Sequence, residues 1–299
     1  MVNTFTVHQS SSTIMISLLK MHGLGNDFVV LDNREGKLPA LDWQRIADRH
    51  KGVGCDQVVV LEPSAKADIF MRIYNADGSE VESCGNASRC VAWLLASPSS
   101  SPWKGEGRGE GQKKQIRIET RAGVIEAQVE SADSITMDMG MPRLGWKEIP
   151  LKEKKDTLNL RIGKGGLKNP VAVNIGNPHM VFFVSDSDAV PLAELGPALE
   201  RHPLFPRHAN VGVAQVMAKD SIRLRVWERG AGMTLACGTG ACAALVAAHR
   251  RGLTGRKAIV HLPGGSLHIE WREEDGHVLM TGPAAVSFRG TLEVSAFSV

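Results

Sequence analysis

Short apolar runs rich in Val, Ile and Leu dominate the hydrophobic pattern of this chain of 299 residues, and they predict β-strands. In the first half these runs cover 28–32, 57–61, 70–74, 116–120, 124–129 and 135–139, and in the second half 171–174, 180–184, 222–227, 258–262 and 267–271. Patterns typical of helices are fewer and cover about 42–51, 84–96, 191–202 and 238–251. Many strands interrupted by few helices predict an α+β fold.

The chain contains an internal repeat that aligns on two Cys-Gly dipeptides, Cys84-Gly85 and Cys237-Gly238. An aromatic residue stands ten positions before each cysteine, a polar residue nine positions before it and an amide twenty-seven positions before it. In the two halves these are Tyr74 and Trp227, Asn75 and Glu228, and Gln57 and Asn210. Further upstream, Gly25-Asn26 matches Gly176-Asn177. The repeat predicts two related domains, with the cysteines opposite each other across an interdomain cleft.

This pattern predicts an N-terminal domain at 16–145 and a C-terminal domain at 146–299, with some C-terminal strands expected to return to the first domain. Residues 1–15 are mainly polar, which predicts a flexible extension with Met15 as a candidate native start. Residues 97–115 consist largely of Ser, Pro, Gly and charged residues, so they cannot bury a core and are predicted to form a disordered surface loop.

Composition and charge narrow the classes of function. Hydrophobic residues make up 43% of the chain and the formal net charge is +3, with Lys and Arg scattered along it. A mild charge and a single Tyr argue against a nucleic-acid partner. We find no secretory signal and no run of about 18 apolar residues, so no membrane partner is expected. The five cysteines are therefore expected as free thiols in a reducing cytoplasm.

Cys84 and Cys237 each open a stretch of small apolar residues that predicts a helix. A thiol at a helix N-terminus faces unpaired N–H groups and the positive end of the helix dipole, which favour the thiolate. Two such thiols in matching contexts suggest an acid/base pair acting on one substrate. The adjacent glycines, Gly85 and Gly238, let backbone N–H groups approach a substrate carboxylate.

Other uses of the cysteines fit the spacing less well. Cys90 and Cys242 have small apolar neighbours and are interpreted as core residues, and Cys55 also has a plausible packing role. The C-x₅-C and C-x₄-C spacings lack the C-x₂-C ligand pairs of common zinc sites, so no metal is expected. A lone cysteine is more often a packing residue, but the repeat and the flanking glycines favour a chemical role for Cys84 and Cys237.

Several ordered blocks surround these residues: MHGLGNDF at 21–28, GVGCDQ at 52–57, YNADGSE at 74–80, CGN at 84–86, GNPH at 176–179, WERGAG at 227–232, ACGTGA at 236–241 and LPGGSL at 262–267. Together, and in this order, they resemble the family of diaminopimelate epimerases over about residues 16–290. The resemblance implies two pseudo-symmetric α+β domains. Each would be a barrel-like sheet wrapped around a central helix, with the active site in the interdomain cleft.

The resemblance also implies an activity: interconversion of LL- and meso-2,6-diaminopimelate without a cofactor, in lysine and peptidoglycan precursor biosynthesis, by a cytoplasmic homodimer. Cys84 and Cys237 would be the acid/base pair, and His179 and Glu228 would tune the pKa values of these thiols. The residues expected to bind substrate are Asn26, Gln57, Asn75, Gly85, Asn86, Asn177, Asn210, Glu228, Arg229, Gly238 and Thr239. Amides that both donate and accept suit a zwitterionic amino acid, and Arg229 can grip a carboxylate with two hydrogen bonds.

One position departs from the family pattern, because Ala87 stands where glycine is usual. Alanine is strained there if the backbone φ is positive and harmless if the residue lies in the first turn of the helix, which is what we expect.

Two alternatives to this function stay open. A proline or hydroxyproline racemase is thought to share the architecture. Such enzymes, however, resemble one another in a Cys-Gly-His pattern at the first site, where this chain has Cys84-Gly85-Asn86. They also have no use for a second amino-acid head, so Glu228 and Arg229 argue against them. A non-catalytic thiol-bearing protein, for binding or redox sensing, would keep the fold without turnover.

Overall fold

The computed structural model describes residues 14–82, 84–96 and 114–299. Its helices are α1 (Trp43–Ala47), α2 (Gly85–Ala96), α3 (Leu192–Glu200) and α4 (Gly238–Arg250), with a 3-10 turn at Val294–Ala296. The strands are β1 (Met15–Gly23), β2 (Asn26–Asp32), β3 (Gln57–Glu62), β4 (Ile69–Asn75), β5 (Glu80–Val81), β6 (Lys114–Thr120), β7 (Gly123–Val129), β8 (Ile135–Asp138), β9 (Gly163–Lys164), β10 (Leu167–Lys168), β11 (Val171–Asn174), β12 (Pro178–Phe183), β13 (Asn210–Ala218), β14 (Ser221–Glu228), β15 (Gly232–Met233), β16 (Lys257–Leu262), β17 (Gly265–Trp271), β18 (Val278–Gly282) and β19 (Ala285–Glu293).

The predicted α+β class is confirmed, and every strand and helix expected from the apolar pattern is present, with small differences at the ends. Helix α1 is shorter than expected because Asp48 ends it in an extended conformation and accepts hydrogen bonds from the backbone of His50 and Lys51. The pattern did not predict β19, whose residues are mostly exposed and which therefore has no apolar run. The runs do not cover β1, β13 or β18 either, nor the two-residue strands β5, β9, β10 and β15.

Two predicted segments lie mostly outside the described residues, namely 1–13 of the extension and 97–113 of the loop. Their expected inner ends are wrong. Met15 begins β1, where it pairs with Glu293, and Lys114 begins β6, where it pairs with Val129. Backbone pairing with a neighbouring strand orders these positions although their side chains bury little.

The two halves of the chain repeat one topology. In the first half β1 and β2 form a hairpin, β2 runs parallel to β3, and β4 pairs with β3, β5 and β6; β6, β7 and β8 then form a meander. In the second half β11 to β18 repeat these pairings strand for strand. The parallel pairs even match in register, with Phe28 opposite Gln57 and His179 opposite Asn210. The predicted pseudo-symmetry is therefore confirmed.

Each half also contributes backbone that pairs with a strand of the other half. Strand β18 pairs with β8, and β19, which follows β18, pairs with β1 of the first half. Correspondingly Arg143, which follows β8, forms a bridge with Asn174 of β11. This reciprocal exchange joins β1–β8 and β11–β19 into one continuous sheet, so the relative placement of the halves is fixed by backbone hydrogen bonds.

One core cluster holds the buried faces of both α2 and α4, and these two helices also contact each other. Helix α4 is buried along nearly its whole length because its small residues, from Gly240 to Ala244, allow the surrounding strands to approach closely. Helices α1 and α3 belong to two separate clusters, one for each half. The sheet of each half is therefore covered by one central and one peripheral helix. Among the described residues, none of the helices combines the length and apolar character that a membrane span requires.

The hairpin between β16 and β17 holds the halves together at one tight point. A Cβ on Gly264 would collide with the carbonyl oxygen of Leu24 and would lie 3.1 Å from the carbonyl oxygen of Leu235. The backbone N–H of Gly264 also donates to that Leu235 oxygen at 2.8 Å. Both obstacles are backbone atoms, so a side chain at 264 cannot be accommodated by a rotamer change.

We therefore expect Gly264→Ala to lower the free energy of unfolding by about 2 kcal/mol, the usual cost of forcing extra volume into a packed site. Urea denaturation of the purified variant measures this change. Gly255→Ala is the matched control, because a Cβ at 255 meets open space. Equal stability of the two variants would contradict the tight contact.

Candidate active site

Cys84 and Cys237 occupy equivalent positions, immediately before the first residues of α2 and α4. The carbonyl of Cys84 accepts the first helical hydrogen bond from the backbone of Ser88 at 2.9 Å, and that of Cys237 accepts the same bond from Ala241 at 3.0 Å. Both thiols therefore stand at helix N-termini, where backbone N–H groups and the helix dipole favour negative charge. Cys237 is buried, whereas Cys84 is partly exposed.

The N-termini of α2 and α4 converge on each other. The Asn86 amide donates from Nδ2 to the carbonyl oxygen of Ala236, the residue before Cys237, at 3.1 Å. The buried side chain of Met280 reaches both helices, since a Cβ at Gly85 would lie 3.1 Å from its Cε and a Cβ at Gly238 would lie 2.7 Å from its Sδ. The two thiols therefore belong to one site with Met280 as part of its floor.

Cys237 forms a hydrogen bond with a carboxylate. Its thiol donates to Oε2 of Glu228 at 3.1 Å, and its sulfur lies 3.6 Å from the Thr239 hydroxyl. The second oxygen of Glu228 accepts from the Thr234 hydroxyl at 2.5 Å. Burial and the neighbouring negative charge of Glu228 raise the pKa of Cys237 well above its ordinary value, and burial also raises the pKa of Glu228.

Cys84 has an amide as its neighbour. Its sulfur lies 3.8 Å from Oδ1 of Asn26, which also accepts from the Asn86 amide at 3.1 Å. The orientation of the Asn26 amide is set on its other side, where Nδ2 donates to the Asp56 carboxylate at 2.8 Å. Burial, followed by the charge of Glu228, raises the pKa of Cys84 to about 11, against the lowering effect of the N–H groups of Ala87 and Asn86. The Glu228 charge thus acts on both thiols.

His179 lies in an amide cluster. Its Nε2 is 2.8 Å from Oδ1 of Asn177 and 3.4 Å from Nδ2 of Asn210, so the shorter contact makes Nε2–H the donor to Asn177. Asn210 in turn accepts from the backbone N–H of Arg229 at 2.8 Å. Burial and the Arg229 charge lower the pKa of His179 to about 3, so the ring is neutral. The hydrogen bonds of His179 thus lead to amides, and its expected tuning of a thiol stays a prediction.

Two further amides are paired across neighbouring strands. Gln57 donates from Nε2 to Oδ1 of Asn75 at 3.0 Å, and Asn75 also donates to Ser79 in the following turn. Within the described ranges, the buried oxygens Oε1 of Gln57 and Oδ1 of Asn86 have no hydrogen-bond partner. Buried acceptors are normally paired, so each is suited to accept from a bound ammonium group.

Ala87 is the third residue of α2, is fully buried and is absent from the residues with positive φ. The expectation that alanine is tolerated in the first helical turn is therefore confirmed.

In the segments that the structure describes, no group of three or more His, Cys, Asp or Glu side chains could hold a metal ion.

Sequence reasoning missed three members of this site, Met280, Asp56 and Thr234. Asp56 orients Asn26 and its charge raises the pKa of Glu228, while Thr234 holds the Glu228 carboxylate. Asp56 directly precedes Gln57 in the block at 52–57, which is the one signal that could have indicated it. Thr234 has no match in the repeat, so only the folded chain identifies it.

Known proteins match this chain over most of its length. The sequence model described as "Diaminopimelate epimerase" matches residues 18–145 and 171–287. A protein named diaminopimelate epimerase from Rhodospirillum centenum is 56% identical over 278 residues, which are 92% of this chain and 91% of that protein. One of the same name from Erythrobacter litoralis is 53% identical over 286 residues, 95% of this chain and 99% of that protein.

Solved structures show the fold at lower identity. A hydroxyproline epimerase from Agrobacterium vitis, with bound trans-4-hydroxy-L-proline, has a TM-score of 0.67 at 18% identity and covers 93% of this chain and 91% of its own. A methylitaconate-delta-isomerase has a TM-score of 0.62 at 15% identity and covers 95% and 96% of the two chains. At such identities the likeness shows the architecture alone.

The contact between Cys237 and Glu228 generates a prediction about thiol reactivity. In Glu228→Gln the negative charge is lost, so the pKa of Cys237 should fall and its alkylation by iodoacetamide at pH 8 should become at least about tenfold faster, one pKa unit being a factor of ten. Mass spectrometry of the digested protein locates the alkyl group.

Glu270→Gln serves as the control, because Glu270 pairs with Lys257 on β16 and β17 and has no contact with the thiols. Unchanged or slower alkylation of Cys237 in Glu228→Gln would show that the carboxylate does not hold the thiol proton.

Proposed function

The chain belongs to the diaminopimelate epimerase family, and from this premise we propose that it interconverts LL- and meso-2,6-diaminopimelate without a cofactor. The observation that carries the proposal is the convergence of two thiols at equivalent helix N-termini, one bound to a carboxylate and the other to an amide. In a cell this reaction would serve the synthesis of lysine and of a peptidoglycan precursor.

The proposed reaction moves one proton off the α-carbon and one proton onto it. The thiolate of one cysteine, Cys84 or Cys237, takes the α-proton from one face, breaking the C–H bond and leaving its electron pair on carbon and carboxylate. The thiol of the other cysteine then donates its proton to the opposite face. Each turnover exchanges the protonation states of the two cysteines, so the reverse reaction starts from the new state.

Backbone N–H groups stabilise the intermediate in this proposal. As the α-proton leaves, negative charge grows on the α-carboxylate, and the N-termini of α2 and α4 offer unpaired N–H donors to it. These donors belong to the first turns that begin with Gly85-Asn86 and Gly238-Thr239. Because Gly85 and Gly238 have no side chains, Met280 packs closely against the N-termini of both helices.

The hydrogen bond between Cys237 and Glu228 gives Glu228 a role in the proposed reaction. As long as Glu228 is charged it holds the proton on Cys237, which makes Cys237 the acid in the direction that starts from this state. When the Cys237 proton is delivered to substrate, Cys237 is left as the thiolate, which can take an α-proton in the reverse direction. Thr234 stabilises the ionised form of Glu228 by donating to Oε1.

The second amino-acid head of the substrate would meet the amide cluster. The members proposed to bind are Asn26, Gln57, Asn75, Asn86, Asn177, Asn210 and Arg229. The Arg229 guanidinium has five N–H donors, of which one contacts the carbonyl of Arg207 in the described residues, so further donors can grip a carboxylate. The unpaired oxygens of Gln57 and Asn86 can accept from an ammonium. A substrate with a single head would leave part of this cluster unused, which disfavours proline.

We further propose a cytoplasmic homodimer. All five cysteines are free in the structure, as suits a reducing compartment, and the family resemblance suggests a dimer. Sedimentation equilibrium of the purified protein distinguishes a dimer from a monomer.

The two-thiol mechanism predicts that Cys84→Ser and Cys237→Ser each lose epimerisation by at least about a thousandfold, within the range that a positioned acid or base contributes. The assay is LL-diaminopimelate in D₂O, followed by chiral chromatography and by deuterium at the α-carbon. Proline and trans-4-hydroxyproline are run in parallel and should remain unlabelled.

Cys90→Ala is the matched control on the same helix α2, because Cys90 is a buried core residue, and it should retain activity within a few-fold. Full activity in either serine variant would rule out the two-thiol mechanism. Labelling of proline but not of diaminopimelate would favour a racemase of the proline type.

A further inference from the structure

Arg89 on α2 is the largest fully buried side chain among the described residues, and no ion pair in these ranges includes it. Its Nε donates to the carbonyl oxygen of Pro283 at 3.1 Å, and Nη1 lies 3.7 Å from the sulfur of Met280. Its Nη2 is buried with no partner in the described part of the chain. A guanidinium keeps its proton at any physiological pH, so the core contains a cation without a carboxylate.

Such a charge is unfavourable for folding, since a buried ion that is not paired costs several kcal/mol of desolvation. The surrounding backbone nevertheless makes room for it. A Cβ at Gly23, the last residue of β1, would lie 2.9 Å from Nη2. Gly282, the last residue of β18, is required first by Leu267, since a Cβ there would lie 2.4 Å from Leu267 Cδ2 and 3.4 Å from Nε of Arg89. The glycine at the end of β1 thus leaves room for the guanidinium.

The titratable groups that Arg89 acts on are all thiols. Its charge lowers the pKa of Cys84, of the adjacent Cys90 and of Cys242 on α4. Cys90 and Cys242 are fully buried in the core, where neither can reach a substrate, and burial raises their pKa values to about 12. Cys84 is partly exposed and stands at the helix N-terminus, one and a half turns before Arg89 on the same helix. Glu228 on β14 acts on Cys84 with the opposite sign.

Met280 connects Arg89 to the site. The same side chain touches the guanidinium and reaches the glycines at the N-termini of both α2 and α4. The cation therefore contacts the residue that fills the space between the two helix N-termini. In this water-poor environment a full charge acts more strongly than it would at the surface.

We propose that Arg89 is a positioning residue for the epimerisation, whose buried and unpaired guanidinium supplies the fixed positive charge that balances a Cys84 thiolate and the charge growing on the substrate carboxylate. This inference rests on the proposed function for its catalytic part. Its electrostatic part concerns Cys84 alone and can be measured without substrate.

The internal repeat supports this assignment, because the charges break its symmetry. The position equivalent to Arg89, five residues after the cysteine, is Cys242 in the second half. The position equivalent to Glu228 is Asn75 in the first half. The cation thus lies on the helix that follows Cys84, and the carboxylate is hydrogen-bonded to Cys237, which favours a thiolate at the first and a thiol at the second. One turnover needs that starting pair of states.

The test compares Arg89→Met, which keeps the length without the charge, with Arg89→Lys, which keeps the charge. The pH dependence of iodoacetamide alkylation is followed at Cys84 by mass spectrometry, with Cys237 in the same sample as internal reference. Because the Arg89 charge lowers the pKa of Cys84, Arg89→Met should move the Cys84 midpoint to higher pH and slow alkylation at a fixed pH, a tenfold slowing corresponding to a midpoint one pH unit higher. Arg89→Lys should restore most of both.

Kinetics and stability complete the test. In Arg89→Met we expect kcat for diaminopimelate to fall with little change in KM, and the low-pH limb of kcat/KM to move to higher pH, while the melting temperature does not fall, because an unpaired buried charge is removed. An unshifted Cys84 titration, or equal losses in both variants with lowered melting temperatures, would overturn the proposal. A shifted titration in a protein that does not epimerise diaminopimelate would refute the proposed function while leaving the pairing of Arg89 with Cys84 in place.

Discussion

Met280 fills the space between the N-termini of α2 and α4, and it can do so because glycines stand at 85 and 238. This contact brings two helix dipoles to one point, which ordinary helix packing avoids since their positive ends repel. This repulsion is offset where negative charge binds at the two N-termini. A thiolate together with a substrate carboxylate supplies that charge. The exchange of strands between the halves holds the helices in this arrangement, because β18, which carries Met280, pairs with β8 of the first half.

The scaffold is symmetric in backbone and asymmetric in charge. Strand pairings, helix positions and the parallel registers at Gln57 and Asn210 repeat, yet Glu228 has only the amide of Asn75 as its counterpart. Symmetry alone would give two thiols of equal acidity. A base and an acid that must coexist need different environments, so polar substitutions at equivalent positions of a duplicated fold are a direct way to separate their pKa values.

The sequence repeat predicted a large part of this arrangement. Residues that recur at fixed distances from the cysteines, such as Gln57 and Asn210, begin equivalent parallel strands, so alignment of the two halves of the sequence is sufficient to locate them. Asp56, Thr234 and Arg89 could not be found in this way, because none has a counterpart of its own kind in the other half. Strand β19 was missed for another reason: backbone pairing with β1 defines it, and its exposed side chains carry no apolar pattern.

Arg89 also explains why a glycine ends β1 beside α2. If the position were only a core site, an apolar side chain of similar volume would satisfy it without the desolvation cost of a cation, as replacements of buried ions in other proteins show. A core that keeps an unpaired guanidinium loses stability and gains an electric field at a particular place. That field affects a reaction only where a group changes its charge. Cys84 is the one thiol near Arg89 that is both partly exposed and placed at a helix N-terminus. The folding cost of Arg89 and the reactivity of Cys84 are thus two consequences of the same buried charge.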